Sequence, residues 1–404
     1  MVAVRVAIPA MDELELMPAT LDALAKQQTA FPFEIYICVN QPESYWFHPE
    51  KRSICEHNRQ LMVYLQNYKL LTLHVLNRSS RGKGWTGKKT GVGQARKILF
   101  AKILEDSAPD DIIVSLDADT IVKPGYLQSV AMQFINERTL NAIAVPYYHP
   151  LNLDEPCDKS MLRYEIYMRN YAINLLNINS PYGFTALGSA IATRAKALAK
   201  IGNITPLQSG EDFYLVQKFC KMGGLRLFNT ECVYPAGRYS NRVPFGTGPA
   251  MSLGREGVWD SYPIYPHSVF EPIKAAYDLL PELYANRTNH TDNEFLYFLQ
   301  QNNKGKDIWA DIRNNVKDFP HFVKAFHQKA DGLRILQFAR TKNRQNPVNE
   351  DTAITENLKL WFPGKPLDWL PRTPVLTEHS VEQLDRLRNI LFEKEQCLRK
   401  TFIS

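Results

Sequence analysis

The chain has 404 residues, 45% of them apolar and 22% charged, with a formal net charge of +6. This composition fits a soluble globular protein, either one large domain or a catalytic domain with an appendage, and no apolar run reaches the ~18 residues of a spanning helix. The mild positive balance suits an anionic ligand or loose contact with an acidic membrane face and gives no footprint for nucleic acid. Six scattered cysteines without a C-x-x-C pair predict reduced thiols and no zinc site. The opening MVAVRVAIPAMDE lacks the pattern of a signal peptide, so the expected location is cytoplasmic, with room for peripheral contact at the inner membrane face.

In chain order, 4–8 predicts a short apolar strand that stops at Pro9, and 14–26 has helical spacing with Leu14, Met17, Leu21 and Leu24 on one face. EIYICV (34–39) predicts a second strand, 59–68 a helix and 71–76 a third strand. A Gly- and Lys-rich loop leads into a helix over 94–105, and 112–116 is an apolar strand. Strand and helix alternation predicts an α/β protein with a mostly parallel sheet covered by helices. Further strands are expected at 142–146 and 225–228, and helices over 158–178, after Thr185, and before the helix stop Gly223-Gly224. From about Trp259 helical patterns dominate, so we divide the chain into a catalytic domain, 1–255, and a mainly helical C-terminal region, 256–404.

Three stretches carry chemistry. IVSLDADTIVKPGY (113–126) ends an apolar strand with Asp117 and Asp119. Alternation along a strand would point both into one crevice, where their repulsion calls for a cation. Hard oxygen ligands suit Mg²⁺ or Mn²⁺ bridging to a substrate diphosphate, while the plain reading is two turn-capping acids. Upstream, SSRGKGWTGKKTGVGQARK (79–97) sets Arg81, Lys83, Lys88, Lys89, Arg96 and Lys97 in Gly-rich backbone before a helix. That favours phosphate, although a solvated basic loop has the same look, and neither a Walker A loop nor a dinucleotide fingerprint fits its spacing. About ninety residues after the D-x-D, Glu211 and Asp212 open a helix, either as dipole complements or with one of them a general base.

Together these pieces resemble the family-2 glycosyltransferases, which have the GT-A fold. The resemblance spans roughly 3–230 and rests on VAIPAMDE, GVGQARK, SLDADTIVKPGYL, LGSAIATRAKALAKIG and SGEDFYLVQKFCKMGGLRLF in that order. It implies that Asp119 is the principal ligand of Mn²⁺ or Mg²⁺, with Asp117 on the ribose or the metal. It makes Asp212 the base that deprotonates an acceptor hydroxyl, with Glu211 orienting the acceptor. Pro9, Ala10 and Glu13 would line the nucleotide pocket, and Arg96 would lie near the base or the diphosphate. Where many members carry Asp-Asp-Gly-Ser after the second strand, this chain has Asn40-Gln41-Pro42-Glu43; Asn40 is expected among the donor-binding residues, and because it can donate as well as accept, a uridine preference is in doubt.

In GRYSNRVPFGTGPAM (237–251), Arg238 and Arg242 either close over a departing diphosphate or decorate a surface turn. Many members of the fold take a third metal ligand from a late His, for which His267 stands in position, against the plainer reading of a solvated side chain. The implied activity is metal-dependent sugar transfer from a nucleoside-diphosphate sugar to a hydroxyl, with inversion. The acceptor is undefined: a soluble metabolite, a glycan or a lipid-linked chain. Two alternatives stay open, a sugar-phosphate nucleotidyltransferase and a catalytically silent nucleotide-sugar-binding protein. The first would place a Gly-rich basic loop directly after the first strand, where this chain has PAMDELEL.

Overall fold

The computed structural model describes residues 2–87, 90–208, 210–228, 230–240, 246–287, 290–302, 307–370, 372–373 and 375–402. They form two compact units, one of residues 1–161 and 185–256, the other of residues 162–184 and 257–402. None of the described helices is long and apolar enough to cross a membrane.

The first unit contains, in order, β1 (Val4–Ala10), α1 (Met17–Ala25), β2 (Phe33–Asn40), α2 (Arg52–Asn67), β3 (Leu73–Arg78), α3 (Val92–Asp106), β4 (Ile112–Ser115), β5 (Thr120–Val122), α4 (Tyr126–Asn136) and β6 (Ala142–Ala144). After α5 (Glu155–Asn177), whose length crosses the division between the units, come β7 (Ile191–Arg194), α6 (Ala195–Lys200), α7 (Glu211–Met222), β8 (Leu225–Leu227), β9 (Val233–Pro235) and α8 (Thr247–Arg255). Seven strands make one sheet in the order β3-β2-β1-β4-β7-β6-β8. β1, β2, β3 and β4 are mutually parallel, and β6 is parallel to β8; β7 runs antiparallel to both β4 and β6. The centre of this sheet is apolar on both faces, as a sheet covered by helices requires: Val6, Ile8, Ile35, Ile37 and Val114 on one face and Ala7, Cys38 and Ile113 on the other are buried.

β1 does not stop at Pro9 but continues to Ala10, in register with Val39. Ala7 accepts a bond from Leu116 on the β4 side, so Pro9, two residues on, faces the same side, where β4 has already ended at Ser115. The proline therefore breaks no ladder bond. Beyond the strand ends, β5 and β9 pair antiparallel as a separate two-stranded ribbon.

The second unit is helical: α9 (Glu271–Asp278), α10 (Leu280–Tyr284), α11 (Glu294–Gln301), α12 (Ile308–Asn315), α13 (Phe319–Lys329), α14 (Gly332–Gln345), α15 (Glu350–Trp361) and α16 (Val381–Thr401), with residues 162–184. Its later helices are defined by their starts. Asn293, Asp307, Asp318, Asp331, Asn349 and Ser380 each accept backbone N–H bonds as N-caps. Such a cap is worth about 1 kcal/mol.

Candidate active site

β4 ends one residue short of Leu116, so Asp117-Ala118-Asp119 is a turn and not the strand end expected from its pattern. All three carbonyls of the turn are held. Asp117 O accepts from Thr120 N (3.2 Å), Ala118 O from the Thr20 hydroxyl of α1 (2.9 Å), and Asp119 O from Ala236 N just after β9 (3.1 Å). The turn sends its two carboxylates to different partners. Asp117 Oδ1 accepts from Arg96 Nη2, whereas Asp119 Oδ2 accepts from Arg238, at 2.8 Å from Nη2 and 3.2 Å from Nε. Among the described residues, two arginines from elements far apart in sequence thus stand beside the acidic pair.

Arg96 lies in the second turn of α3 and its side chain is buried. Its other terminal nitrogen, Nη1, donates to Glu211 Oε1, so one guanidinium joins the D-x-D turn to the first turn of α7. Burial works against its charge, but Asp117, Glu211 and Asp212 outweigh that and hold it firmly protonated. Room for the guanidinium comes from Gly188, where a β-carbon would stand 2.5 Å from Arg96 Nη1. Gly93 lets the start of α3 approach Leu207, whose backbone nitrogen a β-carbon would meet at 2.9 Å.

Asp212 follows Glu211 in α7 and keeps partial exposure. Its Oδ1 accepts from the backbone N–H of Phe213 at 2.8 Å. Burial first, then the neighbouring Glu211 charge, raise its pKa from 3.8 to about 7, against the opposing pull of Arg96 and the Phe213 bond. A carboxylate that ionises near neutrality has the proton affinity a general base needs.

A family model described as "Glycosyltransferase like family 2" matches residues 3–268. The chain belongs to that family. It is accordingly a transferase of glycosyl groups, and its mostly parallel sheet flanked by helices is the GT-A-type arrangement that the family implies. No curated protein matches the chain. Among solved structures it is similar to S. aureus TarS 1–349 in complex with UDP-GlcNAc, at 15% identity over 89% of this chain and 91% of that one, TM-score 0.42. It is also similar to the mannosyltransferase PcManGT from Pyrobaculum calidifontis in complex with GDP-Man and Mn²⁺, at 16% identity over 85% and 88%, TM-score 0.36. A third is the glucosyl-3-phosphoglycerate synthase from Mycobacterium tuberculosis in complex with phosphoglyceric acid, at 16% identity over 63% and 80%, TM-score 0.38.

The remaining family-derived site residues divide. Glu13, in the loop after β1, is brought to Asp119 by Arg238, whose Nη2 lies 2.5 and 2.7 Å from its two carboxylate oxygens. Pro9 and Ala10 end β1 and are buried, and the Ala10 carbonyl accepts from Asn40. Asn40 does not present its amide to a ligand. It is buried, Nδ2 donates to Ala10 O (2.9 Å) and Cys38 O (3.3 Å), and Oδ1 accepts from the Trp85 indole (3.0 Å). Glu211 is likewise buried and bonded to Arg96. His267 belongs to the second unit and is half-buried, not solvated: Nδ1 shares a bond with Asn174 Oδ1 (2.8 Å), and burial lowers its pKa. Arg242 lies outside the described residues, as do Lys88 and Lys89 of the basic loop.

The Gly-rich loop itself is braced by Glu43, whose two oxygens accept from Gly82 N (2.7 Å) and Gly84 N (2.8 Å). Sequence reasoning missed the supports of the loop that carries Glu13. Asp12 there takes a left-handed φ of 62° and is held by Asn58, which accepts from its N–H (2.9 Å), and by His57 on its carboxylate (2.7 Å). Nothing local in α2 marks these two residues.

Among the described residues, four carboxylates (Glu13, Asp117, Asp119 and Glu211) face two guanidiniums, an excess of two negative charges to which Asp212 adds as it ionises near neutrality. That balance fits a divalent cation. Among the described residues no group of three or more His, Cys, Asp and Glu is gathered as a metal cage. Mg²⁺ and similar hard ions, however, need only one or two protein carboxylates when phosphate oxygens complete the shell. Asp119, with Arg238 on Oδ2 and not on Oδ1, offers such a ligand.

Proposed function

We propose that the chain moves a sugar from a nucleoside-diphosphate sugar to an acceptor hydroxyl with inversion of the anomeric centre. The observation that carries this reading is Arg96, which holds Asp117 and Glu211 on one buried guanidinium and so brings the D-x-D turn beside Asp212. Donor and acceptor chemistry then share one crevice at the carboxyl ends of β1 and β4, where sheets of this kind bind ligands. Asp119 would hold Mn²⁺ or Mg²⁺; when bound, such an ion neutralises charge on the diphosphate leaving group.

Asp212 takes the acceptor hydroxyl proton as the oxygen attacks the anomeric carbon. The new carbon–oxygen bond forms as the bond to the diphosphate oxygen breaks on the opposite face, and the electron pair leaves with the diphosphate. Asp117, fixed by Arg96, would meet the nucleotide's ribose. Pairing of Glu211 with Arg96 keeps the first turn of α7, and with it the neighbouring Asp212, beside the D-x-D turn.

A thermal-shift series with UDP, GDP, dTDP and CDP and their sugars, each with and without Mn²⁺, tests the reading. One nucleotide should raise the melting temperature only when metal is present, and Asp119→Ala should abolish that rise. No response to any combination would count against a donor site at Asp119.

A further inference from the structure

The guanidinium of Arg238 rests on two carboxylates, one of which is the proposed metal ligand. Nη2 lies 2.5 and 2.7 Å from the oxygens of Glu13 and 2.8 Å from Asp119 Oδ2. Glu13 is almost wholly enclosed, its side chain 6% exposed, while Arg238 is 30% exposed and reachable from solvent. The backbone leading into the arginine is fixed. β9 pairs with β5 through Pro235 and Thr120, Ala236 N bonds Asp119 O (3.1 Å), and Gly237 O accepts from Asn152 Nδ2 (2.5 Å). The side chain, not the chain path, is therefore what can change place.

We propose that Arg238 is an internal counter-cation that competes with the divalent metal for Asp119 and yields it when a donor diphosphate arrives to pair with the guanidinium. The inference rests on the reading of Asp119 as the metal ligand. Like charges repel at this range, so a dication on Asp119 and a guanidinium bonded to the same carboxylate oppose each other. Removal of the arginine takes a positive charge away from both acids and makes the pocket more attractive to metal. A diphosphate does the reverse, since it offers Arg238 oxygens of matching bidentate geometry and releases Asp119. Metal and donor then bind cooperatively, with Arg238 as the group that couples them.

The test is direct Mn²⁺ binding, read from the loss of the free-ion electron paramagnetic resonance signal, on the full chain without nucleotide. Arg238→Gln should bind Mn²⁺ about tenfold more tightly than the unmodified chain. The gain should vanish in Arg238→Gln with Asp119→Asn, and it should shrink when the nucleoside diphosphate chosen by thermal shift is added. Equal or weaker Mn²⁺ binding by folded Arg238→Gln overturns the exchange and leaves the donor-site reading standing. Absence of Mn²⁺ binding by every protein, with or without UDP, GDP, dTDP or CDP, overturns both. Should Arg238→Gln fail to fold, Arg238→Lys decides. Its ammonium lacks the planar fork that holds Glu13 and Asp119 together, so Mn²⁺ affinity should rise about threefold, and an unchanged affinity overturns the proposal.

Discussion

Arg96 occupies the space that a side chain at Gly188 would fill, with its Nη1 2.5 Å from where a β-carbon would stand. The glycine precedes β7, the strand that pairs antiparallel with β4, so the sheet itself sets the roof over the guanidinium. Arg96 cannot retreat without giving up Asp117 or Glu211.

Gly188→Ala should therefore act on both stability and catalysis. Overpacking of this kind costs about 1–3 kcal/mol. A displaced Arg96 would also misplace Asp117 and α7, and misplacement on the order of 1 Å lowers turnover about a hundredfold. Melting temperature and kcat/KM measured together check this. A variant that melts and turns over like the original would show that Arg96 has room to move.

Asp212 yields a pH prediction whose sign can be worked out. Its folded pKa, about 7, stands above its ordinary 3.8. The native state thus holds this proton more tightly than the unfolded chain. The associated stabilisation is complete below the ordinary value and is lost as pH rises through about 7. Asp212→Asn, which cannot ionise, should gain melting temperature over the unmodified chain, and the gain should be larger at pH 8 than at pH 5. Turnover runs the other way. The unmodified enzyme should speed up as pH rises through about 7, and the Asn variant should be slower by roughly a hundred- to ten-thousandfold with donor binding nearly intact. Comparable loss of donor affinity in the variant would remove Asp212 from the role of base.

What could be read from the sequence was chemistry at the ends of elements; what could not was set by partners distant along the chain. The D-x-D and the Glu-Asp pair stand out because carboxylates after an apolar strand, or crowded into a helix start, need a reason. The parallel core followed from the apolar runs now seen as β1, β2 and β4. β7 was legible only as a small-residue lead-in to a helix, since IATR is too short and too mixed to announce a strand. β5 and β9, of three residues each, carry no periodicity at all. The bond between Glu13 and Arg238 spans 225 positions, and neither neighbourhood hints at the other. Asn40 was misread for the same reason. Its residue type suggested ligand recognition, and Trp85, 45 residues on, had already taken its oxygen.

Asn40→Asp tests that correction. In many relatives an aspartate at this place would accept a bond from uracil, so a ligand-facing position should gain uridine affinity on substitution. A buried position should respond differently. The new carboxylate oxygen would face Ala10 O and Cys38 O in place of the donating Nδ2, setting acceptor against acceptor away from water. The cost should be about 3 kcal/mol, read from denaturant unfolding, with no gain in UDP binding. Tighter UDP binding at unchanged stability would return Asn40 to the donor pocket.

The helical unit depends on a different set of buried charges. Arg169, on α5, is fully buried between Glu165 one turn earlier and Glu395 of α16, the latter 2.6 Å from Nη1. Arg399 also donates to Glu395 at 3.2 Å, and Arg388 stands 3.6 Å from Glu165, both within the same enclosed cluster. The network is geometric, because each guanidinium is planar and Glu395 accepts from two of them, Arg169 and Arg399. Glu395→Gln removes one of the two enclosed carboxylates and leaves the buried cluster with more positive charge than its remaining carboxylate balances, which costs about 3–5 kcal/mol. The same change at Glu105, whose pairing with Lys102 is exposed, should leave melting unaltered. Replacing Arg399 and Glu395 together by Met and Leu should recover much of the loss, since it removes one buried charge of each sign and leaves Arg169 with Glu165. If Glu395→Gln alone melts like the unmodified chain, the cluster is solvated in solution and is not what fixes α16 against α5.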